Sequence, residues 1–292
     1  MGDAVFSLMQ TLRMAALQQH ESRPHPLPGS PLERDRAERC LAMRLNRAYV
    51  DAQLAVGARI ALPDSAAAHL IRVLRLGAGD GCVLFNGDGH DHDARIVAAD
   101  KRGAEVEITG VREVDNESTL RIVLVQGIAR GEKMDWILQK ATELGVAAFV
   151  PVSSERSEVK LDGERADKRL AHWRSVVVSA CEQNGRARVP GVGAPEALAT
   201  ALARLPGDGA RLTLDPHATD GVATLSVPAG RQVVVAIGPE GGWSPRDRIV
   251  LGEAGFAGLR LGPRILRTET AGIAAIAALQ ARFGDLRGGR AD

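Results

Sequence analysis

Between Val233 and Ala271 the chain contains two apolar runs that each end in a Gly-Pro turn. VVVAI closes on Ile237 ahead of GPEGGW, and GLRL closes on Leu261 ahead of GPRILRTETA. A strand that ends in such a loop is where open α/β sheets bind ligands, because backbone amides are free there and the loop can vary without disturbing the core. Two loops so close in sequence can share one pocket. Glycine lets main chain approach a ligand and proline fixes a bend, so Gly238-Pro239 and Gly262-Pro263 read as shaped walls. Gly-Pro is also ordinary turn punctuation. The polar residues argue for more: Arg264, Arg267, Thr268, Glu269 and Thr270 crowd the second loop ahead of an Ala/Ile/Leu helix, and Glu240 sits inside the first. A turn needs none of them. A branched side chain at Gly241 is expected to fill space that a ligand requires.

The chain divides into three textures. Residues 1–42 are rich in Arg, Gln and Pro, with the cluster SRPHPLPGSP, and predict a flexible extension. Residues 43–115 carry short alternating runs (ARIAL, GCVLF, DARIVAA, AEVEITGV) between Gly/Asp turns, the pattern of a small β-barrel. One helix interrupts them, DSAAAHLIRVLRL, with Asp64 as its N-cap. Residues 116–292 alternate strands with helices, which predicts an α/β fold. There LRIVLVQGI is a strand, and the following helix places Met134, Ile137, Leu138, Ala141 and Leu144 on one face before stopping at Gly145. Ser244-Pro245-Arg246-Asp247 is a helix start with a serine cap, proline at the first position and an acid at the capping-box position. The last helix is expected over 270–283, ending at Gly284.

Composition fits an intracellular enzyme. The 292 residues are 45% hydrophobic and 25% charged, enough for a substantial core. Cys40, Cys82 and Cys181 are three cysteines at unrelated spacings, which predict neither a disulfide framework nor a zinc site. No apolar run approaches the roughly 18 residues that span a bilayer. Residues 1–40 lack a signal-peptide pattern, so the expected location is the cytoplasm. GDGHDHDAR resembles a metal cluster, but neighbours on a strand face opposite ways, so a hairpin turn is the reading and no metal is expected. Net charge is only +1, yet its distribution is uneven. Residues 43–75 carry five Arg against two acids, and 120–190 twelve basic residues against nine acids, while 76–119 carry four against ten. Such zones suit a local phosphate-binding face, and equally a solubilising surface.

The same loops, together with RGEKMDWILQKATELGV from Arg130, SERSEVKLDGER from Ser154, ACEQNGRARVP from Ala180 and ALQARFGDL near the C-terminus, resemble the RsmE-type 16S rRNA (uracil-N3) methyltransferases of the SPOUT superfamily. The likeness runs from about Met43, a candidate initiator, to Leu286. It implies a C-terminal SPOUT methyltransferase domain whose last segment threads a trefoil knot, which no spacing could reveal. It also implies a PUA-like RNA-binding β-barrel before that domain, a homodimer, and 16S rRNA of the small ribosomal subunit as partner. A Rossmann-type site is absent by motif, since Gly77, Gly79 and Gly81 give only GxGxG between two β runs.

By the same resemblance S-adenosyl-L-methionine binds against backbone from Leu214 to His217, then Ile237, Gly238, Pro239, Glu240, Gly241 and Gly242, and finally from Leu261 to Thr270, with Leu261, Gly262, Ile265, Leu266, Thr268 and Thr270 as its contacts. Methylation at uracil N3 requires removal of a proton and stabilisation of charge on the flanking oxygens. Arg267, with its planar donor fork, is the candidate for charge stabilisation. Glu269 is a candidate proton acceptor and equally a capping acid, while Glu240 can tie the loops together. Cys181 lies in an apolar VVVSAC run and reads as a buried thiol, a nucleophile being unnecessary for nitrogen methylation. RNA contacts are assigned to Arg72 and Arg75, three apart on one helix, to Arg130 and Lys133 at the start of the next, and to Arg186. The resemblance places Gln183, Asn184 and Arg186 at the border of the active site. Aromatics are 3%, so phosphate contacts and RNA shape are expected to outweigh base stacking. Two other readings stay open: a SPOUT enzyme with a different target nucleotide, and a non-catalytic RNA-binding protein with a decayed pocket.

Overall fold

A computed structural model describes residues 46–100, 103–159, 163–227 and 232–287. The N-terminal extension, Cys40 and Met43 lie outside them. Among the described residues no helix is long and apolar enough to cross a membrane.

The alternating runs of the first part form a five-stranded sheet of β1 (Arg47–Tyr49), β2 (Arg59–Ala61), β3 (Gly81–Phe85), β4 (His90–Asp100) and β5 (Gly103–Glu113). Its order is β1-β3-β4-β5-β2, with β1 parallel to β3 and the other pairs antiparallel. Register shifts at Asp93/Ala94 and Ile96/Ala98 interrupt the β4–β5 ladder, and bulges of this kind curl a sheet. The interior holds Leu84, Ile96, Val106 and Ile108, against which α1 (Asp64–Ala67) and the π-helical turn Ala68–Val73 lay Ala66, Ala67 and Leu70.

Two expectations change here. Asp64 is the first helical residue, not the cap; Pro63 occupies the cap position and no side chain bonds there. Arg72 and Arg75 do not share a helical face, because the wide turn ends the helix and Arg75 adopts φ 59°. The hairpin read for GDGHDHDAR is present, with its turn at Gly87–Gly89 between the antiparallel β3 and β4, and the HDHD segment follows that turn. It opens β4, where Asp91 is held by Arg47 at 2.6 Å and by Arg112 at 2.9 Å.

The second part is a parallel sheet of order β12-β10-β11-β6-β7-β8. Its strands are β6 (Arg121–Gly127), β7 (Val146–Ser153), β8 (Gly191–Val192), β10 (Ala210–Leu214), β11 (Gln232–Ile237) and β12 (Ala257–Leu259), with the short β9 (Glu196–Ala197) also pairing β7. Continuous apolar runs make sense because both faces are covered. Ile122, Leu124, Val233, Val235 and Ile237 meet α2 (Glu132–Glu143), α3 (Gly163–Asn184) and α6 (Thr268–Phe283). The intervening Val123, Val125, Val234 and Ala236 meet α4 (Leu198–Ala203) and α5 (Pro245–Glu253) on the other face. Met134, Ile137, Leu138 and Ala141 are buried along α2, as their spacing predicts. The Ser244 cap is also as predicted: its hydroxyl accepts from the Asp247 amide while Asp247 returns to the Ser244 amide.

The two parts meet at the N-terminal edge of the parallel sheet. Arg47, 1% exposed, donates to Cys181 O at 3.0 Å and Arg186 O at 3.3 Å, and its guanidinium lies 4.5 Å from the Phe85 ring centroid. Arg186 corrects the sequence reading. It is 5% exposed; Nε and Nη2 bond both Glu117 oxygens at 2.9 and 2.6 Å, and Nη1 donates to Thr142 O and Val146 O. A guanidinium this buried, with four of its five donors on Glu117 and two carbonyls, is not presented to phosphate. It also sits where β7 begins, so Gln183, Asn184 and Arg186 border the N-terminal edge of the sheet in this chain.

Arg186→Ala is expected to destabilise the fold by about 3 kcal/mol, since it strands Glu117 and two carbonyls. Denaturant unfolding measures it, and a loss below about 1 kcal/mol would show that water replaces the clamp.

Candidate active site

The sheet's C-terminal edge opens into a cavity of about 560 Å³, within the usual range for small-molecule sites. It spans the ends of β12, β10 and β11 and reaches Lys133 on α2. Both Gly-Pro loops wall it. Leu214, Ile237, Leu259, Leu261 and Leu266 give it apolar sides, with backbone from Gly238 to Gly242 and at Gly262 between them.

The loops are held by Thr268. Its hydroxyl donates to Gly238 O at 2.6 Å and accepts from Gln126 Nε2 at 3.1 Å, joining the start of α6, the loop after β11 and the end of β6. The chain crossing there is close: a Cβ on Gly127 would lie 2.5 Å from Pro239 Cδ, so only glycine fits at the end of β6. A Cβ on Gly238 would stand 3.0 Å from the Gly242 backbone. Gly241 differs from expectation, because its Cβ direction meets the Arg156 side chain at 3.1 Å and Arg156 Nη1 donates to its carbonyl. A branched residue there presses first on Arg156.

Glu240 ties the first loop to α2. Its carboxylate accepts from the Arg130 amide and from Lys133 Nζ, both at 3.1 Å. Partial burial alone raises this carboxyl, but those hydrogen bonds outweigh it and hold it below the usual carboxylate range. Its grip on the loop is therefore complete at neutral pH and is lost only as pH falls through that depressed value. Lys133 is thus a cavity wall residue paired with Glu240, while Arg130 pairs with Glu158 at 2.7 Å on the surface.

Of the expected cofactor residues, Leu214, Ile237, Gly238, Pro239, Glu240, Gly241, Gly242, Leu261, Gly262, Ile265, Leu266 and Thr268 line the cavity. His217 and Thr270 do not. The His217 amide closes a turn on Asp215 and its side chain is exposed; Thr270 is exposed, one turn into α6. The Thr268 hydroxyl spends its one donor on Gly238 O and accepts from Gln126.

Both candidate catalytic residues line the cavity. Arg267 caps α6 from the loop side and is exposed, with no side-chain partner among the described residues. Glu269 stands in the first helical turn, and its Oε2 is buried without a hydrogen-bond partner. Asp215 and Pro216, inside the expected Leu214–His217 stretch, also line the cavity, and Trp243 and Arg248 are lining residues that sequence reasoning did not select. Asp215 had a signal, as an acid immediately beyond a strand, whereas Arg248 sits on α5 with nothing in sequence to point at it. The Cys181 thiol is far from this chemistry and burial pushes it up to about 12, which makes it inert.

Comparison with known proteins gives a consistent picture. A model described as an RNA methyltransferase domain matches residues 116–280, and one described as an RNA methyltransferase PUA domain matches residues 62–109. The chain is 34% identical over 243 residues to ribosomal RNA small subunit methyltransferase E of Buchnera aphidicola, covering 83% of this chain and 98% of that protein. It is 30% identical to the Bacillus subtilis protein of the same name, over 75% of this chain and 89% of that one. The methyltransferase E structure from Neisseria gonorrhoeae, bound to S-adenosyl methionine, superposes with a TM-score of 0.79 at 44% identity, covering 82% of this chain and 99% of that one. A Legionella pneumophila methyltransferase with bound SAM gives 0.78 at 37%, covering 82% and 98%.

Thr268→Val keeps shape but removes both hydroxyl bonds, leaving Gly238 O and the Gln126 amide without that partner. The expected cost is about 2 kcal/mol, with faster hydrogen exchange confined to residues 238–243. Unchanged exchange in that loop would show that Thr268 does not hold it.

Proposed function

Because the chain belongs to the ribosomal RNA small subunit methyltransferase E family, we propose that it methylates N3 of a uridine in the 16S rRNA it acts on, using S-adenosyl-L-methionine. The observation that carries this reading is the cavity between the two Gly-Pro loops, which sets an unpartnered Arg267 and the orphaned Glu269 Oε2 in one wall. A buried carboxylate oxygen left without a donor costs free energy, so one in the cavity wall is suited to accept from a bound group.

The residues fit the cofactor. Apolar side chains and open main chain suit a nucleoside, and Gly127 and Gly238 let the chain segments that form the wall pack against one another. When bound, S-adenosylmethionine supplies an electrophilic methyl group on its sulfonium. Glu269 takes the N3 proton of the uracil, and the Arg267 guanidinium donates to the flanking oxygen on which negative charge accumulates. The nitrogen lone pair then forms the new N–CH₃ bond, and the electrons of the broken C–S bond stay on sulfur.

RNA phosphates are assigned to the exposed Arg72, Arg75 and Arg130. We assign residues 43–115 to the PUA-like part and 116–292 to the methyltransferase part, in a cytoplasmic enzyme. The close passage of Gly127 against Pro239 and the Thr268 bonds support a threaded C-terminal segment. A homodimer is supported by the layout. The PUA-like part docks at the N-terminal edge of the parallel sheet and the cavity opens at the other, roughly 20 Å away along the strands. A second chain can bring its own PUA-like part to that opening.

Nucleoside mass spectrometry of 16S rRNA from a strain lacking the protein is expected to show loss of one N3-methyluridine; its persistence would overturn both target and atom. Arg267→Lys keeps the charge but loses the planar fork, so turnover at saturating RNA is expected to fall about a hundredfold, with partial rescue at higher pH. If only RNA affinity falls, and the fall grows with salt, Arg267 is a phosphate contact and not a catalytic residue.

A further inference from the structure

Three carboxylates line the cavity, and two have a role already: Glu240 is bound by Arg130 and Lys133, and Glu269 is assigned to the proton. Asp215 is left. It follows the last residue of β10, and its amide donates to Leu259 O at 3.0 Å, carrying the ladder with β12 one residue past the strand. Its Oδ1 accepts from the His217 amide at 2.9 Å, and its carbonyl accepts from the Ala218 amide at 3.2 Å. This turn fixes the carboxylate. Gly258 seats it from behind, since a Cβ there would come 3.0 Å from Ala218 Cβ and 3.4 Å from Asp215 Cβ. The second oxygen, Oδ2, lies 3.7 Å from the Arg248 guanidinium, with the side chain 30% exposed.

An ionised carboxylate only accepts hydrogen bonds, so its ligand must donate. Outside the adenine, S-adenosylmethionine offers two such groups, the α-ammonium and the ribose hydroxyls. An ammonium at Asp215 would stand beside the Arg248 cation and compete with it. The neutral diol adds no charge and presents two adjacent O–H donors. An acid just beyond a strand that receives a ribose hydroxyl is also the solution used by dinucleotide-binding sheets. We propose that Asp215 receives the ribose hydroxyls of the cofactor and so makes the site select a ribonucleoside over its 2′-deoxy counterpart. The proposal rests on the reading of this cavity as the cofactor site.

Calorimetry with S-adenosylhomocysteine and its 2′-deoxy analogue tests it without turnover. The native protein is expected to bind the ribose form about tenfold or more tightly, because the analogue leaves a fixed acceptor unpaired. In Asp215→Ala the ratio should approach one. Asp215→Asn keeps an oxygen for the His217 amide, so the turn survives, and its ratio should fall to about threefold or less. Native-like melting of the Asn variant guards against a collapsed loop. Equal affinities in the native protein, or a ratio that survives in both variants, would overturn the role of Asp215 while leaving the cavity as the cofactor site. If neither ligand binds the native protein, the cofactor reading itself is overturned, and this proposal with it.

Discussion

One hydroxyl joins the three pieces of chain that make the cavity. Thr268 reaches Gly238 O in the loop after β11 and Gln126 at the end of β6, while its own backbone begins α6. Each contact alone is modest, worth about 1 kcal/mol net. Together they fix the relative position of segments that meet only because the chain folds back on itself, and the cavity wall follows from that position. Arg267 and Glu269 flank the same residue, so the groups assigned to chemistry are oriented by the bond that closes the wall.

Much of this was legible in sequence. Apolar runs ending in Gly-Pro locate the strand ends and the cavity, the α2 face follows from its 3.6-residue period, and the Ser244 capping box is a local signal locally realised. What failed depended on distant partners. Arg186 looked like a surface cation in a polar loop, yet its bonds run to Glu117, 69 residues away, and to carbonyls at the start of β7. The unfavourable place of Lys133 at a helix start, which pointed to a role, is offset by Glu240, 107 residues on, a pairing that sequence spacing does not show. Thr270 and His217 were drawn in by proximity along the chain to residues that do line the cavity. Asp64 lost the cap position to Pro63 because the helix begins one residue earlier and widens into a π turn.

The division of labour among the charged groups follows from burial. At the cavity, carboxylates and guanidiniums keep some exposure and retain free donors or acceptors. At the joint between the two parts the Arg47 and Arg186 guanidiniums are enclosed and bond carboxylates and carbonyls, so their role is positional.

That enclosure separates two effects that are usually entangled in studies of RNA affinity. Added salt weakens phosphate contacts by removing the gain from counterion release, and it can also loosen surface ion pairs that orient domains. Here the contact across the joint is the Arg47 guanidinium on the Cys181 and Arg186 carbonyls, and the Asp91 carboxylate that holds Arg47 from within its own part is shut away with it, at 6% and 1% side-chain exposure, where mobile ions do not reach them. Ionic strength can therefore tune how firmly the protein grips RNA without altering the angle at which its two parts are set.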